Sequence, residues 1–232
     1  MHTRCCATAR NTEHYRYLFM TNSEVAELVK EIKQSFRLMM DGAVAKSMRD
    51  KGVDYKLNWG ATLPRLREMA KEIANKLRAN SPYPLAIALW KENVRECKIL
   101  ATMLMPADEM LPEVCDIWME QIPSQEMAEQ VSFNLWQHLP YAPEKAYQWI
   151  GSDKEYYQLC GFHVLTRLFM NKQNPNERGI NEFLDQAQAA LQGPYVSVQK
   201  AALQSVLRFA ELGLMYERMA KSAMKNINLE LF

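Results

Sequence analysis

Glycine is scarce in this chain: eight occur in 232 residues, and none stands beside another. That leaves no material for a glycine-rich phosphate loop and little for the many tight turns of an all-β fold. Long apolar runs are missing too. The longest, Pro84 to Trp90 and Ile99 to Met105, fall far short of the roughly 18 residues of a membrane-spanning helix. The five cysteines, at positions 5, 6, 97, 115 and 160, form no Cys-x-x-Cys pair, and the four histidines form no His-x-x-x-His pair. Reduced thiols in a cytoplasmic protein are therefore expected, with no metal and no cofactor. There is no Gly-x-Ser-x-Gly elbow, no His-Glu-x-x-His helix and no Walker loop, so the common hydrolase and nucleotide-binding classes find no support.

What is present describes a soluble, folded chain. Hydrophobic residues make up 48% and charged residues 24%, enough apolar surface for one extended core. Residues 1–104 carry 18 Lys and Arg against 11 Asp and Glu, residues 105–165 carry 2 against 10, and residues 166–232 carry 8 against 6. The ends are basic and the middle acidic, so a polyanion would meet the ends. The segment before Met20 lacks a signal-type apolar stretch. It is expected to be a disordered extension over 1–20, and either Met1 or Met20 could begin translation.

Apolar residues recur every three to four positions, as in Val25, Leu28, Ile32, Phe36 and Met39, and alternation is nowhere sustained. The period is helical. Proline, glycine, serine and aspartate cut the chain into helices expected near 23–40, 43–51, 62–79, 82–92, 94–104, 107–121, 124–138, 143–150, 153–170, 177–192, 195–211 and 214–226. Thr21 to Ser23, Ser124 and Ser152 offer N-caps, Pro143 sits in a first turn, and Gly193-Pro194 and Leu212-Gly213 end helices. A spacing of about 35 to 40 residues between comparable pairs predicts an all-α, HEAT-like solenoid of about six helix pairs over 21–232. A compact, non-repeating helical bundle is the structural alternative.

Three stretches carry a family resemblance: Asn58 to Arg67 (NWGATLPRLR), Leu89-Trp90 with Val94 to Ala101 (VRECKILA), and Val198 to Ala202 (VQKAA) with Val206-Leu207-Arg208. In these the chain resembles the DNA alkylation repair family, the HEAT-repeat DNA glycosylase superfamily, over about residues 22 to 226. The resemblance implies a curved array of helix pairs whose basic concave face holds double-stranded DNA. It also implies, for enzymatic members, excision of cationic N3- or N7-alkylated purines by tryptophans and an aspartate set against the lesion's sugar. The family's tryptophan pair and aspartate align with Met127-Ala128 and Ser132, its supporting arginine falls near Leu159, and its later tryptophan near Gln204 or Ser205. None of the family's groups stands at those positions.

Glu129, Phe133 and Trp136, at i, i+4 and i+7, could form a relocated site in which a carboxylate stabilises an oxocarbenium-like sugar and aromatics meet a cationic base. Aromatics at helical spacing otherwise mark packing. Arg65, Arg67, Arg95, Lys98, Lys200, Arg208, Lys221 and Lys225 recur on successive helices and are candidate phosphate contacts, each of them also explicable as solvated helix surface. Cys97 reads as a buried structural thiol and His163 as a packed core histidine. The function expected is binding of duplex DNA, damaged or distorted, by a monomer with weak or no glycosylase activity. An active alkylpurine glycosylase is the second reading, and a scaffold whose acidic middle receives a basic protein is the third.

Overall fold

The computed structural model describes residues 20–225 and 227, apart from 54, 78 and 79. The expected N-terminal extension lies outside these residues except for Met20, which is buried in the core. Among the described residues twelve α-helices follow one another: α1 (Asn22–Leu38), α2 (Gly42–Asp50), α3 (Leu63–Lys76), α4 (Tyr83–Lys91), α5 (Arg95–Leu104), α6 (Pro112–Glu120), α7 (Gln125–Asn134), α8 (Ala142–Ile150), α9 (Glu155–Met170), α10 (Glu177–Leu191), α11 (Val196–Ala210) and α12 (Leu214–Ala223). Among the described residues the only β pairing is a single parallel bridge, Leu57 with Val94. Of the expected helix ends, 78, 79 and 226 lie outside the described residues.

Helix starts have local causes. Thr21 and Glu24 form a reciprocal capping box on α1, Asp41 accepts from the first backbone N–H groups of α2, Ser124 caps α7 and Asn176 caps α10. Two expected helices are shorter than their apolar pattern. Residues 107–109 form a separate 3-10 turn, and α6 starts only at Pro112, whose ring suits a first helical turn but cannot continue a preceding one. Helix α7 stops at Asn134; Leu135 leaves helical geometry with φ −130° and ψ −61°, and Trp136–His138 form another 3-10 turn. Ser152 receives the Lys154 N–H, and α9 begins at Glu155 rather than 153.

The helices stack in two layers. Helices α3, α5, α7, α9 and α11 touch in succession and make one row, while α4, α8 and α10 each pack behind the next member of that row. This is the solenoid arrangement the spacing predicts. A ring cluster of Phe162, Phe169, Phe183, Phe209 and Tyr216 joins α9, α10, α11 and α12, with neighbouring centroids 5.1 to 6.5 Å apart. Further up the stack Trp90 of α4 lies flat on Trp118 of α6 at 4.0 Å. Gly161 lets α9 approach α8 closely: a Cβ there would stand 2.7 Å from the Ile150 side chain and 2.9 Å from the Ala146 carbonyl oxygen. Gly60, at φ 75°, holds a conformation L residues avoid, and a Cβ on it would meet the Asp41 carbonyl oxygen at 2.3 Å.

Candidate nucleic-acid interface

At 100° per residue, the side of α9 opposite Gly161 carries His163, Arg167 and Met170, the only residues of its last two turns that are not buried. That side faces away from α8 and forms part of an open face of the row. On the flanking helices Glu129 and Phe133 of α7, and Lys200, Gln204 and Arg208 of α11, are likewise not buried. Arg167 is the centre of this face. Its guanidinium lies 4.3 Å from the centroid of the Phe133 ring, and His163 meets the same ring edge-on at 5.2 Å. The Arg167 Nε is buried without a hydrogen-bond partner, and one terminal nitrogen reaches only the Met170 sulfur at 4.0 Å. Among the described residues no carboxylate comes within ion-pair distance of it. The result is a positive charge held rigidly by an aromatic ring and left without a counter-ion.

His163 adds no charge to this face. Burial, and then the Arg167 charge, push its pKa down to about 4, so it is uncharged at neutral pH. It is also less buried than a core histidine, lying at the edge of the open face.

Two of the expected phosphate contacts are turned inward. Arg95, 1% exposed, grips the Glu126 carboxylate with Nε at 2.8 Å and a terminal nitrogen at 2.5 Å, and donates to the Ala61 carbonyl oxygen at 3.0 Å. It also pairs with Glu96 at 3.3 Å, and Glu96, fully buried, accepts from the backbone N–H groups of Trp59 and Ala61. Lys98 donates to the Trp90 carbonyl oxygen at 2.8 Å and sits over the Trp90 ring. Burial lowers the pKa of its ammonium. The physical reason is shared: α5 is buried on nearly every side, and its charged side chains are consumed in fixing the 57–61 loop and α4.

The remaining candidates are at the surface. Arg65 and Arg67 on α3, Lys200 on α11 and Lys225 beyond α12 are exposed. Arg208 is half-buried and ion-paired with Glu211 at 2.7 Å, and Lys221 is paired with Glu217 at 2.8 Å. Trp136 leaves the relocated-site constellation, because the helix ends before it and its ring is fully buried against Trp149. Only Glu129 and Phe133 stay together on the open face, Glu129 accepting from Gln125 at 2.9 Å. Met127, Ala128, Ser132, Leu159 and Ser205, the positions aligned with the family's catalytic groups, are all fully buried, while Gln204 is exposed. That register therefore points at the core rather than at the open face, and Arg167 was missed. Its sequence signal is plain: it is the only Lys or Arg in the apolar segment EYYQLCGFHVLTRLFM.

Among the described residues no thiol is reactive by environment. Cys97 and Cys115 are buried, and burial pushes each pKa up to about 12; Cys160, also buried, is pushed up as well. The described residues contain no group of three or more His, Cys, Asp or Glu able to hold a metal ion, and no helix long and apolar enough to cross a membrane.

An all-helical array with two layers and a rigid arginine on its open face belongs to the HEAT-like class. A solved structure described as a new family of proteins related to the HEAT-like repeat DNA glycosylases with affinity for branched DNA structures superposes with a TM-score of 0.72. It is 16% identical, with 84% of this chain and 81% of that one covered. The family model "DNA alkylation repair enzyme" matches residues 32–219, and the chain belongs to that family. No curated protein matches it.

Proposed function

We propose that the chain is a DNA-binding protein that holds duplex DNA, including distorted or branched duplex, on the open face of α7, α9 and α11, and that it excises alkylated purines weakly or not at all. The observation that carries this reading is Arg167, a cation fixed on Phe133 with no counter-ion among the described residues. Desolvating such a group is already accomplished in the fold, so a phosphate oxygen gains a charge-assisted bond with little ordering cost. Lys200, Arg208 and the basic residues of α3 and α12 extend the same attraction. The solved relative's affinity for branched DNA agrees with it. A monomer suffices, since every group invoked comes from one chain.

Excision has one observation in its favour: Glu129 shares the face with Phe133, one turn away. A positioned carboxylate would accelerate release by roughly 100- to 1000-fold, but the tryptophans that accompany it in enzymatic relatives have no counterpart beside it.

The test is an anisotropy titration with blunt duplex and a four-way junction across salt concentrations. For four to six phosphate contacts log K should fall with log salt at a slope of about −4 to −5. Arg167→Gln should weaken binding about tenfold and flatten the slope by about 1. No binding at low salt, or binding indifferent to Arg167→Gln and Lys200→Glu, would defeat the reading. Release of 3-methyladenine well above the spontaneous rate, abolished in Glu129→Gln, would establish the excision reading instead.

A further inference from the structure

Away from the open face, a groove of about 660 Å³ runs between α1, α4 and the loop before α3. Its floor is apolar, formed by Val25, Val29, Leu57, Ala88 and Trp59. Its rim is basic: Lys30, Lys33 and Arg37 stand at i, i+3 and i+7 on one face of α1, against a single lining carboxylate, Glu92, which Lys33 already pairs at 2.7 Å. The acidic residues of α1, Glu24, Glu27 and Glu31, are not among the lining residues. From Lys30 to Arg37 the helix rises about 10 Å, so the three cations form a row along one edge of the groove.

The floor is held in place before any ligand arrives. Trp59 donates its backbone N–H to buried Glu96 at 3.1 Å, its carbonyl oxygen accepts from Asp41 N–H at 2.9 Å, and Leu57 bridges to Val94. The Trp59 indole N–H is buried and finds no acceptor among the described residues. A duplex presents phosphates but hides its bases, so an apolar floor adds nothing to duplex binding. An unpaired strand presents both. Cations that follow its backbone and a ring that takes a base face are the two parts of single-strand recognition.

We propose that this groove binds an unpaired DNA strand, its phosphates along Lys30, Lys33 and Arg37 and a base against Trp59. Its use for the free arm of a branched substrate rests on the open face holding the duplex arm, whereas its affinity for a free strand does not.

Fluorescein-labelled (dT)10 and a blunt duplex, titrated separately into the full chain, test the idea. The oligonucleotide should bind at low salt, and Lys30→Glu with Arg37→Glu should weaken it at least tenfold while the duplex, offered to the same variant, loses less than threefold. Trp59→Leu should weaken (dT)10 about tenfold, with circular dichroism confirming a folded chain. Arg167→Gln should leave (dT)10 unaffected. Failure of the wild-type chain to bind (dT)10, binding indifferent to the α1 variant, or stronger binding of (rU)10 overturns the proposal. Loss of duplex binding alone, with (dT)10 still sensitive to Lys30 and Arg37, overturns only the open-face reading.

Discussion

Replacing Arg95 by methionine should destabilise the fold and spare DNA binding. In the native chain the guanidinium makes two contacts to Glu126, one to Glu96 and one to the Ala61 carbonyl oxygen. Methionine fills most of the volume but leaves Glu96 as a fully buried carboxylate with backbone donors only, and Glu126 without its bidentate partner. Removing one member of a buried pair typically costs about 3 to 5 kcal/mol. For a domain of about 150 to 250 residues each kcal/mol shifts the melting temperature by about 2 to 4 °C, so a fall of about 6 to 20 °C is expected in thermal denaturation. Truncating both partners, Arg95→Met with Glu126→Leu, should recover part of that loss, because one of the two uncompensated carboxylates is then gone. Duplex affinity, measured well below the variant's melting point, should stay within twofold of wild type. An Arg95→Met chain that melts normally yet binds DNA poorly would refute this assignment and return Arg95 to the interface.

Two further outcomes follow from buried groups. Because the folded His163 has a pKa lowered to about 4 from 6.5, the unfolded chain takes up a proton that the folded chain refuses; stability should therefore fall from pH 6.5 to 4 and gain nothing from this group above 6.5. The ceiling is about 3 kcal/mol, reduced by the ring's partial exposure, and His163→Gln should remove that part of the acid slope in urea titrations; an unchanged slope would contradict it. Ser132 is fully buried, so Ser132→Asp would bury a carboxylate and should cost about 3 kcal/mol or more and yield no purine excision. A stable, excising Ser132→Asp chain would mean that position 132 faces the DNA after all.

The helical rhythm made the array legible in the sequence, since a row of amphipathic pairs leaves an apolar residue every three or four positions. Caps at Thr21 and Ser124 and the break at Gly193-Pro194 fell where local chemistry demanded. Charge was harder to read. Arg95 and Lys98 look like surface cations in sequence, and what hides them is long-range: Glu126 lies 31 residues from Arg95 and the Ala61 carbonyl 34 residues from it. No local pattern reports a helix that neighbours cover on all sides. The end of α7 at Asn134 was equally hidden, because QHLP follows without a glycine and an unbroken pattern carried Trp136 onto the wrong face. Arg167 stood in plain view among apolar residues, but its importance depends on Phe133, which comes from another helix.

The close approach at Gly161 gives the array a hidden adjustment screw. Arg167 lies six residues further along the same helix, so any side chain at 161 that pries α9 from α8 would swing that guanidinium relative to the Phe133 ring. The geometry of the charged surface is thus set from behind, by an atom that is missing. A lineage could retune what the surface grips, or lose its grip, through substitutions in the buried seam alone, and a comparison limited to exposed residues would find nothing changed.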